Sequence, residues 1–320
     1  MISDDDARRA STTLKRWALD EELKEGALAS PMFRALAARV ARRYISGDSA
    51  DDAIEAARAV VTRGHNVSIE FVGESVRDAS AAEAATKAFV EVATAIADTG
   101  LPSTVSFDLT HIGALIDVEL AEANARRIAD ALPVDALPAG GTTLMVSAEG
   151  SDRTDMVLDL YERLAADVPG IGITLQASLH RTPGDLDRVL RLPGTIRLVK
   201  GAFLESASTA HARGSAELTA AYLQLARTAL AAGHALNLAS HDPDLVQALI
   251  AEHGDDLRRD SVQFEMRSGL GTTLLDGLNA EGYNTREYVL FGTEWWLYVL
   301  NRIAEHPERL ILALADLGEQ

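Results

Sequence analysis

Short apolar runs alternate along the chain with longer amphipathic stretches. Runs of about five residues rich in Val, Ile, Leu, Phe or Thr fall at 67–72, 104–109, 143–148, 172–177, 195–199, 235–239, 262–266 and 287–291, and each reads as a strand. Between them, apolar residues at helical spacing predict helices over 81–98, 118–131, 152–166, 183–191, 208–232, 243–253 and 272–281. Asp152 and Asp242 stand where N-caps belong, and Gly233 and Gly282 where helices stop. Eight strands alternating with helices predict a parallel sheet with right-handed crossovers, and eight such units close most naturally into an α/β (βα)8 barrel. An open doubly wound sheet is the alternative, but no Gly-x-Gly-x-x-Gly follows an early strand. Residues 12–24, 32–46 and 50–63 read as N-terminal helices, and a long last helix, 294–315, follows the eighth strand. The densest loop signal, Leu137-Pro138-Ala139-Gly140-Gly141, reads as a turn rather than a linker. One domain over 1–320 is therefore expected, with helices through residue 64 and the barrel over 65–320.

Composition narrows the function classes. Lys plus Arg number 30 against 48 Asp plus Glu, a net charge of −18, which argues against a nucleic-acid or anionic-membrane surface. The 47% apolar content supports a folded core. Cysteine is absent, so disulfides, a thiol nucleophile, Cys-ligated metals and covalent haem are excluded. The N-terminus is charged without an apolar stretch, and no run of 18 apolar residues occurs. A cytoplasmic protein without a membrane span is expected.

In such a barrel, chemistry sits at the C-terminal ends of the strands. Those ends carry Glu70 and Glu74, Asp108, Ser147 and Glu149, Gln176, Arg197 with Lys200, His241 with Asp242, Glu265 and Tyr288. The eight histidines form no His-x-His or His-Glu-x-x-His, and no Gly-x-Ser-x-Gly occurs, so neither a catalytic metal nor a serine nucleophile is expected. Ser268-Gly269-Leu270-Gly271-Thr272 follows the seventh strand and opens a helix. It reads equally well as an anion cradle and as an ordinary glycine turn.

Several segments resemble the flavin-dependent proline dehydrogenases. Arg197-Leu198-Val199-Lys200-Gly201-Ala202-Phe203 is similar to that family's Arg-Leu-Val-Lys-Gly-Ala-Tyr run. Ile69-Glu70-Phe71-Val72-Gly73-Glu74, Leu175-Gln176-Ala177-Ser178-Leu179-His180-Arg181-Thr182, Ala239-Ser240-His241-Asp242 and Phe264-Glu265-Met266 match further family segments in order and spacing, as does the block from Tyr283 to Pro307. The resemblance covers residues from about 66 to 310. It implies a distorted (βα)8 barrel with the last helix over the mouth. It also implies FAD held by Gln176, Arg197, Lys200, Gly201, Ala202, Ser240, His241, Glu265 and Glu305. Arg197 and Lys200 would place positive charge near the flavin, and Gly201 would let the backbone approach it. The implied reaction passes a hydride from the C–H beside a substrate nitrogen to the flavin.

The substrate side departs from the family pattern. Asn301-Arg302 stands where the family has two adjacent arginines for a carboxylate, and Ser106-Phe107-Asp108-Leu109 replaces Ser-x-Lys-Leu. Ser147 stands where the family has Asp. Tyr288, Tyr298 and Arg302 are kept, and Tyr298, Asn301 and Arg302 fall on one helical face. Asp108, Tyr288, Tyr298, Asn301 and Arg302 are thus the candidate substrate residues. The lost cations disfavour a free amino-acid carboxylate. They favour an amine or hydrazine whose carboxyl is masked as an ester, an amide or a thioester on a carrier protein. The electron acceptor is left open between quinone, oxygen and others. Unaltered proline oxidation is the first alternative, and an inactive regulatory barrel the second. Substitutions at substrate positions but not at cofactor positions favour an enzyme over the latter.

Overall fold

The computed structural model describes residues 3–132, 143–305 and 307. The N-terminal segment forms α1 (Asp4–Ala18), α2 (Glu21–Ala29), α3 (Pro31–Ala41) and α4 (Ala50–Thr62). The barrel follows as β1 (Asn66–Phe71), α5 (Ala79–Thr99), β2 (Ser103–Phe107), α6 (Val118–Asp130), β3 (Leu144–Val146), α7 (Thr154–Ala165), β4 (Ile171–Gln176) and α8 (Thr182–Val189). It continues through β5 (Thr195–Val199), α9 (Ala216–Ala231), β6 (Ala235–Ala239), α10 (Pro243–His253), β7 (Val262–Arg267), α11 (Thr272–Ala280), β8 (Thr285–Phe291) and α12 (Trp295–Glu305). Each strand pairs in parallel with the next, and β8 returns to β1 to close the ring, with Ile69 opposite both Val105 and Val289. The expected (βα)8 barrel is what forms.

Local chemistry explains where elements differ from expectation. The helix read over 12–24 breaks in two, because Asp20 takes an extended conformation and its carboxylate accepts the Leu23 N–H at 2.9 Å as an N-cap. The helix read over 208–232 begins at Ala216: Gly214 has φ +77°, and the Ser215 hydroxyl accepts the Leu218 N–H. Asp152 is not an N-cap. It lies in a single 3-10 turn, Ser151–Arg153, ahead of α7. Asp242 does cap α10, accepting from the Asp244 and Leu245 amides. The turn read at 137–141 and the part of the last helix read beyond residue 307 lie outside the described residues.

The main core fills the layer between strands and helices, where Val67, Ile69, Phe89, Val105, Phe107, Ile128 and Leu160 are sealed from solvent. Barrel interiors are usually filled with branched aliphatics, but this one is polar. Arg286 of β8 lies fully buried, donating to the Val67 carbonyl at 2.7 Å, Thr104 at 2.9 Å and Gln263 at 3.2 Å. A buried guanidinium needs such partners for its donors. A second apolar cluster unites Leu14, Ala41, Tyr44 and Ile45 with Tyr288, Val299 and Ile303. It fixes α1 and the end of α3 to α12, and α12 to β8 at the barrel mouth.

Candidate active site

The centre of the mouth is an ionic lattice spanning several strands. Arg197 of β5 is buried; its Nε donates to Glu265 Oε2 on β7 at 3.0 Å, and its Nη2 forms an ion pair with Oε1 of the same carboxylate at 2.8 Å. Its Nη2 also reaches Ser106 of β2 at 2.9 Å and Ser68 of β1 at 3.3 Å, so the side chain crosses the barrel. The guanidinium lies 4.7 Å from the ring centroid of Tyr288, a cation–π contact that holds both in place. Asn237 of β6 donates to Glu265 at 2.9 Å. The Tyr288 hydroxyl in turn donates to Glu70, which also accepts from Ser147 at 2.8 Å. Burial, with the Glu70 charge beside it, holds the Tyr288 phenol well above its ordinary range.

One side of the mouth is acidic. Glu70 lies near the end of β1 and Glu74 follows it, Asp108 follows β2, and Glu149 follows β3. Burial first, then the charges of Glu70, Glu149 and Glu74, hold the half-buried Asp108 carboxyl well above the usual range, with Arg267 opposing. Burial and Glu149 raise Glu74 in the same way. Glu149 is tied down by Arg153 at 3.2 Å and the Thr110 amide at 3.0 Å.

The other side is cationic and includes α12. Arg267, the last residue of β7, donates to the Tyr298 hydroxyl at 3.3 Å; its guanidinium lies 5.2 Å from that ring's centroid. Arg302 lies 5.5 Å from the same centroid and pairs with Glu305 at 2.8 Å. Burial and then Arg267 push the Arg302 guanidinium down to about 10. Asn301 is half-buried beside it. Arg213 joins Glu305 at 3.3 Å and donates to the Ala202 carbonyl at 2.5 Å, so the loop after β5 is fastened to α12.

Beyond β4, β5 and β6 the remaining candidates line a backbone cradle. The Gln176 amide donates to the Glu149 carbonyl at 2.8 Å. Lys200 pairs with Asp242. Ser240 accepts the Asp242 N–H at 3.2 Å. His241 Nε2 accepts the Arg267 N–H at 2.9 Å, so its ring proton belongs on Nδ1. Gly201 has φ +119°, and a Cβ there would lie 2.2 Å from Ser178 Oγ and 3.5 Å from Gln176 Oε1. Only glycine fits this close approach. A side-chain-free backbone beside Arg197, Lys200 and an amide suits a flat, electron-accepting cofactor with an anionic tail. In the 268–272 turn both glycines have a packing reason: a Cβ on Gly269 would lie 2.1 Å from the Arg43 carbonyl, and one on Gly271 2.5 Å from Met266 Sδ.

Arg267, Arg286 and Arg213 are absent from the sequence-derived candidates. The strand read over 262–266 stops one residue short of Arg267, and that read over 287–291 starts one residue after Arg286. Two-residue alternation from Glu265 and Tyr288 would have found both. Arg213 lies in a loop that read as helix.

The fold and mouth together define a (βα)8-barrel protein with a charge-divided site at its strand ends. A family profile described as proline dehydrogenase matches residues 53–298. Proline dehydrogenase 2 of Bacillus subtilis (strain 168) is 30% identical over 304 residues, 93% of this chain and 97% of that one. Proline dehydrogenase of Deinococcus radiodurans is 30% identical over 276 residues, 84% and 86% of the two chains. In fold, the chain is similar to proline utilization A from Bdellovibrio bacteriovorus inactivated by N-propargylglycine. The TM-score is 0.77 at 18% identity, over 93% of this chain but 36% of that one, so this chain spans about a third of that protein's length. The chain belongs to the proline dehydrogenase family. No helix among the described residues is long and apolar enough to cross a membrane.

Proposed function

We propose that the protein is a flavin-dependent oxidoreductase that oxidises the CH–NH bond of a small amine-type substrate at the barrel mouth. The observation that carries this is the split of the mouth into a carboxylate side (Glu70, Asp108) and a guanidinium side (Arg267, Arg302), with Tyr288 between them. Such a pocket orients a molecule with a nitrogen donor at one end and an acceptor at the other.

In this reading FAD rests on Gln176, Arg197, Lys200, Gly201, Ala202, Ser240, His241 and Glu265, with Glu305 holding the adjacent arginines. The chemistry FAD supplies when bound is acceptance of two electrons as hydride from the carbon beside nitrogen. The chain's own residues position and exclude. Asp108 and Glu70 face the substrate N–H. Tyr298 and Arg302, with Asn301, cover it from α12. Arg197 is held rigid by Glu265, Ser68 and Ser106, so its charge is pre-oriented before any ligand arrives. The partners in this reading are the amine substrate and an electron acceptor, a quinone, oxygen or another.

Two substrate readings divide on particular residues. Asp108 and Asn301 favour a masked carboxyl, free or carried as a thioester on a carrier protein. Arg267 and the proline dehydrogenase relatives favour a free secondary amino acid such as proline, and the geometry supports this second reading better. The test is anaerobic bleaching of the purified protein's flavin absorbance by L-proline, prolinamide and pyrrolidine, after FAD is measured on denaturation. About one FAD per chain is expected for a single mouth site, with bleaching by at least one amine. Protein that stays colourless after FAD reconstitution overturns the proposal.

A further inference from the structure

We infer that Asp108 is the proton acceptor of this site: its carboxylate takes a proton from the ammonium form of the substrate, so that hydride can leave the neighbouring carbon. This rests on the oxidoreductase reading above. An ammonium nitrogen has no lone pair, and the C=N bond forms from that lone pair as hydride departs. One N–H bond must therefore break first, its proton passing to a carboxylate oxygen and its electron pair staying on nitrogen. Hydride then leaves carbon for the flavin, and the Asp108 proton returns to solvent when product leaves.

Backbone alternation aims Asp108 inward. On β2, Thr104 meets Arg286 and Ser106 meets Arg197 inside the barrel, while Val105 and Phe107 face the outer core. Asp108 is the next inward position, at the mouth. Ser106 stands opposite Glu70, and the Phe107–Val146 pair carries on to set Asp108 beside Ser147. Its neighbours are already engaged. Glu70 accepts from Tyr288 and Ser147, and Glu149 from Arg153 and the Thr110 amide. Glu74 lines an outer groove with Ser75, Arg153 and Phe203. The half-buried Asp108 carboxyl makes no hydrogen bond or ion pair with any described residue, so it is the inward-facing acid free to gain and lose a proton. Burial first, then Glu70 on β1, Glu149 beyond β3 and Glu74 beyond β1 raise its hold on a proton, and Arg267 of β7 opposes them. His111, in the same loop, turns away to stack on Phe71. A carboxylate so shifted is a stronger base, nearer the working range of a proton acceptor at neutral pH. The lysine of the family's Ser-x-Lys-Leu pattern carries its proton there, so the role belongs to this chain's own substitution.

The test follows anaerobic flavin bleaching by pyrrolidine and by L-proline in stopped flow, for FAD-loaded wild type, Asp108→Asn and Asp108→Glu across a range of pH. A parallel calorimetric titration measures binding of N,N-dimethylpyrrolidinium, a ring cation with no N–H to lose. Near neutral pH, Asp108→Asn should slow bleaching at saturating amine about 100- to 10,000-fold. The gap should narrow as pH rises towards the amine's own pKa, where solvent delivers the amine neutral. Asp108→Glu should recover part of the rate. In Asp108→Asn the affinity for dimethylpyrrolidinium should fall less than the rate does. Three results overturn the proposal: Asp108→Asn that bleaches at the wild-type rate, a deficit that is the same at every pH, or a deficit no larger than the lost affinity for dimethylpyrrolidinium, which makes Asp108 a charge anchor alone. Wild type that no amine bleaches overturns the oxidoreductase reading, and this role with it.

Discussion

Removing the Glu265 charge should harm the fold more than removing Arg197, the cation it holds. Glu265 accepts two hydrogen bonds, from Arg197 at 3.0 Å and Asn237 at 2.9 Å, and its other oxygen forms an ion pair with Arg197 Nη2 at 2.8 Å. It is also the carboxylate that acts on Arg286, which burial pushes down to about 10 while the neighbouring Arg197 presses in the same direction. Glu265→Gln keeps the shape and leaves two buried guanidiniums around a neutral amide. Breaking a buried pair costs about 3–5 kcal/mol when a charge is stranded; with two stranded, the upper end is expected. Arg197→Met leaves Glu265 with Asn237 and the field of Arg286, so the lower end, about 3 kcal/mol, is expected. The double variant strands Arg286 alone, and a coupling of about 1–3 kcal/mol should separate it from the sum of the singles. Urea unfolding of flavin-stripped protein near neutral pH measures all three without a contribution from cofactor binding. The account fails if Glu265→Gln lies within about 1 kcal/mol of wild type, or if Arg197→Met is the costlier change.

Three other perturbations probe separate features. Gly201→Ala places a Cβ 2.2 Å from Ser178 Oγ at φ +119°. A loss of over about 1 kcal/mol is expected, together with FAD retention falling below wild type; unchanged FAD content refutes the cradle. Arg302→Ala relieves repulsion with Arg267 while deleting a ligand contact, so kcat/KM for the true substrate should fall about 10- to 100-fold with a small change in melting temperature. Wild-type kinetics would show that α12 does not cover the substrate. His111 stacks on Phe71 at 5.2 Å, and burial pushes its pKa from 6.5 down to about 4. The folded state thus keeps it neutral while the unfolded chain takes up a proton below about 6.5. Its contribution is intact above that pH and is lost as pH falls towards 4, by about 3 kcal/mol. His111→Phe should therefore lose less melting temperature than wild type between pH 7 and pH 4.5; parallel curves would refute the assignment.

The strands were legible because each is a compact apolar run bounded by turn residues, and β5 and β6 fall on the residues expected. The barrel lining was not. Its polar residues belong to the strands' second periodicity, so shifting one boundary by a single residue hid Arg267 and Arg286. Lys15 reaches the mouth from α1, and no local signal links it to Glu305 on α12. The Glu70, Asp108 and Glu149 cluster was visible as a set of strand ends. Its mutual repulsion, and the tie from Tyr288 through Glu70 to Ser147, exist only once three non-adjacent segments converge.

The ring's closing seam also sets a timetable. β8 is the last strand to be synthesised and pairs with β1, while Trp296 of α12 donates to the Trp17 carbonyl of α1 at 3.0 Å and Lys24 pairs with Glu294 at 2.9 Å. The Tyr288–Glu70 bond joins residues 218 apart. Until that seam forms, a nascent chain carries an open parallel sheet with two bare edges, a species prone to pair with its neighbours. Such distant pairing is slow. The same event brings Tyr288 onto Glu70 and α12 onto the mouth, so a chain stalled before it has neither a finished barrel nor a working pocket. For this protein, the last step of folding and the onset of activity should share one rate constant.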